Sequence, residues 1–375
     1  MNTCPGRQIE ITPNPGTVSG RQQPPNALPS GPRAVRQSVH GTAAERTDAA
    51  AKQAFNPPAC DVCGGTRHVP QYSLRFEGYP GVFRLWRCRG CGLVWNWPQL
   101  PPEAVRNQYD GSYYVFSSPP HRRWTRAVQH YLNHLYPLEH KGDHRRLLEV
   151  GCARGELLVL ARQRGWQVTG VEISPQAALE ASSQHGLPVH AGTLEEHAEH
   201  LDPFDVVIAT DVIEHVTSPR RFVQAIRQVL RPAGVVIIET PNWGGRWRRW
   251  GGTRWVGLNP FHLYLFDGRC LRRLMETCGF TGCKLSTTTN AAFACWGDRP
   301  ELDRFCRHLP AGLQWRVKRW LNHLTPSSLG VELRREPVTS VSAALERVER
   351  IAAEQDSHRR RLSLSGDNLA VSASA

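Results

Sequence analysis

The chain of 375 residues contains no apolar run approaching the ~20 residues needed to cross a bilayer as a helix. Its first residues lack the apolar core of a secretory signal, so no leader of that kind is expected. Acidic residues are in deficit, 33 against 46 basic ones for a formal net charge of +13, and lysine is rare beside arginine. Such a surface suits nucleic acid, anionic small substrates or an acidic membrane face, or simply reflects basic tails. Charge therefore does not choose the partner. Residues 1–57 have few aromatics and are rich in Pro, Gly, Gln, Ser and Ala. They bury too little apolar surface to offset chain entropy and are predicted to be a disordered tail, with a targeting peptide left open. The eleven cysteines lack the arrangement of an extracellular disulfide framework. Those at 4, 152, 270, 278, 283, 295 and 306 have no ligand spacing and are expected to be free thiols, which points to a reducing, cytoplasmic compartment.

The other four cysteines do carry a pattern. Cys60-Asp61-Val62-Cys63-Gly64 and Cys88-Arg89-Gly90-Cys91-Gly92 are two knuckles separated by 24 residues. Each knuckle presents two thiolates on one tight turn, and together they supply a tetrahedral four-sulfur site for zinc. The glycine after each pair lets backbone N–H groups aim at sulfur. Four sulfurs leave no open position for water, so the ion is structural. Cys60, Cys63, Cys88 and Cys91 are thus the predicted ligands of a zinc ribbon over 58–100.

With 40% hydrophobic residues there is a sizeable core, enough for two small domains plus tails. From Leu147 the apolar strand Leu-Leu-Glu-Val enters the turn Gly151-Cys152-Ala153-Arg154-Gly155 and then a helix. Seventeen residues past Gly155, a second strand ends on Glu172, where a carboxylate can accept both ribose hydroxyls. The G-x-G-x-x-G of a pyrophosphate site is broken, because Ala153 and Glu156 stand at its second and third glycine places. Glu156 also puts negative charge where a pyrophosphate would lie. Strands then alternate with helices: a helix from Ser174-Pro175 to Gly186, a strand at Pro188–Ala191, a buried run Phe204–Thr210, a helix Pro219–Leu230 and a strand Val235–Glu239. This alternation predicts an α/β, Rossmann-like, doubly wound and mostly parallel sheet with its ligand at one edge.

The turn with Glu149, the segment Asp211-Val212-Ile213-Glu214-His215-Val216, and then RPAG, ETPN and FHLYLF in that order resemble the class I S-adenosylmethionine-dependent methyltransferases. The likeness covers about Leu147 to Phe280. The four-cysteine ribbon leading into CGLVW and the paired Tyr113-Tyr114 resembles the bacterial subgroup of glycan and natural-product pathways. The long C-terminal domain of its sugar C-methyltransferases is not evident. The resemblance implies S-adenosylmethionine as cofactor, held by Glu149, Gly151, Cys152, Gly155, Glu172, Ile173, Thr193, Leu194 and Asp211. It also implies a tyrosine segment closing over the cofactor. His215, beside the expected methyl group, is the base expected to take an acceptor proton, with Glu214 next to it. Asp211, Glu214, His215 and His262 resemble the metal set of small-RNA 2′-O-methyltransferases, which would place a second divalent ion there to polarise a substrate oxygen.

Between the fifth strand and the next helix, Trp243, Trp247, Trp250 and Trp255 interleave with Arg246, Arg248, Arg249 and Arg254. Arginine suits phosphate and tryptophan suits a sugar or base, so Trp243, Arg246 and His262 are the predicted acceptor contacts. A packed lid with exposed arginines uses the same residues. The domains are expected at 1–57, 58–100, 101–140 (helical linker or cofactor lid), 141–290 (methyltransferase) and 291–375 (a helical extension near Ala343–Ala353 and a frayed tail). The expected function is methyl transfer to a small metabolite, glycan- or nucleotide-linked. An RNA methyltransferase that reads RNA through the ribbon and the Trp/Arg segment is the first alternative. A non-catalytic binding module on the same fold is the second.

Overall fold

The computed structural model describes residues 34–36, 57–76, 82–109, 114–139, 145–255, 257–288, 338–355 and 368–375. All lie within one compact unit, Pro32–Ala375; the other unit, Met1–Gly31, falls outside the described residues.

A small antiparallel sheet begins with β1 (Ala34–Arg36), β2 (His68–Phe76), β3 (Phe83–Cys88) and β4 (Val94–Asn96). Three residues of the segment expected to be disordered thus form a strand, because β2 offers an edge to pair with. The two cysteine knuckles bracket β2 and β3, so pairing His68 with Cys88 draws the knuckles together. Next come α1 (Pro102–Arg106), α2 (Tyr114–Ser117) and α3 (Pro120–His130), the last continuing through a π-helical turn, Tyr131–Leu135. Trp124, Ala127, Val128, Tyr131, Leu132 and Leu135 form the buried face of this helix.

The larger domain follows as β5 (Arg146–Val150), α4 (Glu156–Gln163), β6 (Gln167–Glu172), α5 (Pro175–His185), β7 (Val189–Ala191), α6 (Leu194–His197), β8 (Phe204–Thr210), α7 (Pro219–Val229) and β9 (Leu230–Pro241). Proline opens α5 and α7 behind the serine caps Ser174 and Ser218, where its missing N–H costs nothing. Then come α8 (Arg246–Gly251), β10 (Tyr264–Leu265), α9 (Gly268–Thr277), β11 (Thr281–Thr288), α10 (Val341–Gln355) and β12 (Asn368–Ser374).

The large sheet has the order β11-β12-β9-β8-β5-β6-β7. Strands β5 to β9 pair in parallel, whereas β12 runs antiparallel to both β9 and β11. The Rossmann-like, mostly parallel expectation holds for this sheet. The frayed tail does not: Leu369, Ala370, Val371 and Ala373 are buried in an inner strand. Small apolar residues alternating with serine fit a slot between two existing strands, and only the assembled sheet provides that slot. One core layer, including Leu147, Leu158 and Ile208, lies between the sheet and α3, α4 and α10. The other, with Leu148, Val207, Phe222 and Leu274, lies under α7 and α9 and continues into the cysteine knuckles. Among the described residues no helix is long and apolar enough to cross a membrane.

Candidate functional site

The parallel strands end along one edge, and the turn after β5 occupies its centre. Gly155 caps α4 with φ +82°, and a Cβ there would stand 2.4 Å from Leu187 Cδ1, so both conformation and space demand glycine. Glu149 is the penultimate residue of β5, 6% exposed, and its Oε2 is buried without a hydrogen-bond partner among the described residues. Loss of water, reinforced by Glu156 and Glu172 nearby, pushes its carboxyl well above the ordinary range. An acid held this way gains most from a cation. At the end of β6, Glu172 is 2% exposed and accepts from Ala153 N at 2.8 Å and Ser174 N at 2.9 Å. Each oxygen keeps a second acceptor site, as a ribose diol requires. Ile173 follows directly in the β6–α5 turn, while Cys152 is buried within the β5 turn. Thr193 and buried Leu194 open α6 through a capping box with Glu196.

Two residues that sequence reasoning did not assign also reach this crevice. Arg123 and Arg126 project from α3: Arg123 donates to Glu156 at 2.5 Å, and Arg126 donates to Asp211. Their spacing of three on an amphipathic helix was the available signal, but the carboxylates they meet are 33 and 85 residues away.

After β8, Asp211 adopts a left-handed φ of +54° and turns towards Arg126. It does not join the three residues with which it was grouped. Glu214, His215 and His262 do converge, with one ligating atom of each within 4.8 Å of the others. The Nδ1 atoms of His215 and His262 bond the carbonyls of Phe261 at 3.0 Å and Gly257 at 2.8 Å. That leaves each Nε2 for other partners, and His215 Nε2 lies 3.9 Å from Glu214 Oε1. Glu214 accepts from Thr240 Oγ1 at 2.8 Å, while its Oε1 is buried without a partner among the described residues. Burial lowers His215 to about 4 and pushes Glu214 well above the ordinary carboxylate range.

The four cysteines of the knuckles gather in the same way, every sulfur within 4.8 Å of the others. Cys60 and Cys91 sulfurs are 3.4 Å apart and those of Cys63 and Cys88 3.5 Å, close to the ~3.8 Å edge of a tetrahedron with 2.3 Å zinc–sulfur bonds. Gly64 and Gly92 take left-handed φ values of +70° and +86°. The first knuckle docks on α7: Asp61 accepts from Ser218 Oγ at 3.0 Å and Arg220 N at 2.8 Å, and the Arg220 side chain donates to the carbonyls of Asp61 and Val62.

The Trp/Arg segment divides. Trp243, expected to stack on an acceptor, is 5% exposed and packs with Trp255 and with Leu74, Phe76, Phe83 and Leu85 of the small sheet. Its large apolar area is worth more inside a core than at a surface. The Arg248 guanidinium covers its ring from outside at 3.6 Å. Arg246 opens α8, and its side chain lies outside the described structure, as do Tyr113 and the side chain of Tyr114. Of the predicted acceptor contacts, His262 belongs to the cluster, its ring centroid 4.7 Å from that of His215.

Residues 121–285 match the family model described as a methyltransferase domain. This segment is thus similar to a methyltransferase domain, the match covering under half of the chain. A ubiquinone biosynthesis O-methyltransferase of Alkalilimnicola ehrlichii is 37% identical over 105 residues, covering 26% of this chain and 42% of that protein. Its counterpart in Sodalis glossinidius is 34% identical over 126 residues, covering 30% and 50%. The chain thus spans at most about half the length of these curated relatives. A crystal structure of a SAM-dependent methyltransferase from Archaeoglobus fulgidus is 18% identical with a TM-score of 0.42, covering 70% of this chain and 100% of that one. The matched methyltransferase domain includes Glu149 to His262 and begins after the cysteine knuckles.

Proposed function

We propose that the chain transfers the methyl group of S-adenosylmethionine to an oxygen of a small-molecule acceptor. The carrying observation is the pair of buried carboxylates on either side of the Gly151–Gly155 turn, Glu149 with an unpartnered oxygen and Glu172 with both oxygens anchored. Glu149 holds the ammonium group and Glu172 the ribose hydroxyls. Cys152, Ile173, Thr193 and Leu194 line the adenosine side, and Asp211 the methionine side. The relatives named above are O-methyltransferases, which supports oxygen as the acceptor atom.

The sulfonium supplies an activated methyl carbon, and the protein has to align the acceptor and remove its proton. The C–O bond forms as the C–S bond breaks, leaving S-adenosylhomocysteine. His215 Nε2 takes the hydroxyl proton. The imidazolium then faces Glu214 Oε1 at 3.9 Å. The convergence of Glu214, His215 and His262 also suits a divalent ion that polarises the acceptor oxygen. His262→Ala separates the two: a proton-accepting His215 keeps turnover, whereas an ion-binding set loses it. At the knuckles, Cys60, Cys63, Cys88 and Cys91 hold a structural zinc.

Glu172→Ala is the direct test of the pocket. It should abolish cofactor binding in calorimetry and cost about 1–3 kcal/mol of stability, because two backbone N–H groups lose their acceptor. Unchanged cofactor affinity in the folded variant overturns the assignment. A labelled-methyl screen over hydroxylated small molecules identifies the acceptor.

A further inference from the structure

We infer that His130, His134 and Glu239 form a binding site for one divalent first-row transition-metal ion, separate from both the cysteine knuckles and the His215 cluster. One ligating atom of each residue lies within 4.8 Å of the others, and the three are 4%, 7% and 2% exposed. Two imidazoles and one carboxylate are the donor set that such ions accept in this fold-independent way.

Two further observations lead to the same place. His130 and His134 are four residues apart; His130 directly precedes the π-helical turn Tyr131–Leu135, and His134 lies within it. Such turns are uncommon in helices and recur at functional sites. Secondly, α3 and this turn bury an apolar face: Trp124, Ala127, Val128, Tyr131, Leu132 and Leu135 are all buried. Two imidazoles placed among them lose their water and need partners. His134 Nε2 has one, Glu239 Oε2 at 2.5 Å. Among the described residues His130 Nε2 meets the Arg126 guanidinium at a long 3.4 Å, and Arg126 is also paired with Asp211. A divalent cation satisfies both imidazoles and balances the carboxylate at once.

The place of this site in the fold gives it a consequence. Glu239 lies near the C-terminal end of β9, and its carbonyl accepts from Asp211 N at 2.9 Å, at the strand edge where the crevice lies. Helix α3 carries Arg123 and Arg126 into that crevice. An ion joining α3 to β9 therefore clasps the helix over the crevice.

The test is a metal titration of the full chain after stripping. Wild type should bind one zinc equivalent more than His134→Ala or His130→Ala. With Co2+, each variant should keep the intense thiolate-to-cobalt charge-transfer bands of a four-sulfur site and lose a class of weak ligand-field bands. His215→Ala should retain that class, which separates this site from the neighbouring cluster. Equal zinc equivalents in wild type and His134→Ala overturn the inference. Should the histidine variants fail to fold, the His215→Ala protein decides: absence of any thiolate-free cobalt site in it overturns the inference as well.

Discussion

Glu149 and Glu172 are carboxylates that the fold has taken out of water, and this makes the cofactor crevice sensitive to pH. Burial raises both above their ordinary value of 4.5. A group whose folded value is raised stabilises the free protein fully below about 4.5 and loses that contribution as pH rises through the raised value. The ionised forms are the ones that an ammonium group and ribose hydroxyls satisfy. The stabilisation conferred by S-adenosylmethionine should therefore widen as pH is raised from about 4.5 towards neutrality. Thermal melts of loaded and free protein across that range measure it, and a gap independent of pH contradicts the assignment. These carboxylates and Gly151 and Gly155 were legible because a strand, a turn and the next strand place them by local spacing alone. Arg123 and Arg126 were not, since an ion pair spanning 33 or 85 residues leaves no mark in the spacing of either partner.

At the scale of elements, the parallel strands and their crossover helices announced themselves through apolar runs, serine caps and leading prolines. Strand β12 escaped that reading. Its seven residues, Asn368 to Ser374, are short and weakly apolar, and become a strand only because β9 and β11 leave a gap of one strand between them. Leu369 and Val371 each contribute about 1.5–3 kcal/mol by burial, and the ladder on both sides adds backbone bonds. Truncation after residue 367 should therefore lower the melting temperature markedly and expose β9 and β11 as edges that aggregate. Light scattering and a denaturation curve measure both effects; wild-type stability in the truncated chain refutes the role given to β12.

At the scale of the whole molecule, the cysteine-knuckle segment is tied into the larger α/β domain rather than appended to it. Strand β10, from the connection after β9, pairs with β4 and completes the small sheet. Asp61 caps the N-terminus of α7, and Cys270 of α9 is buried in the same core as the four sulfurs. Replacing Cys60 and Cys88 by serine should remove the zinc found by metal analysis and also loosen α7, seen as faster amide exchange at Phe222 to Ile226. Zinc loss with unchanged exchange in α7 contradicts that coupling. A wild type that folds without any metal contradicts the zinc assignment itself.

The local chemistry of the chain could be read before any fold was known. Two C-x-x-C knuckles, a strand–turn–helix with acids at its ends, and a DVIEHV segment each act through residues a few places apart, where backbone geometry fixes distance. Packing settled the rest. It moved Trp243 from an acceptor surface into a core, gave Asp211 to Arg126 instead of to the His215 cluster, and seated the C-terminal residues inside the sheet. Each of those outcomes depends on which distant surfaces come into contact, and burial energy is decided by that contact and not by sequence spacing.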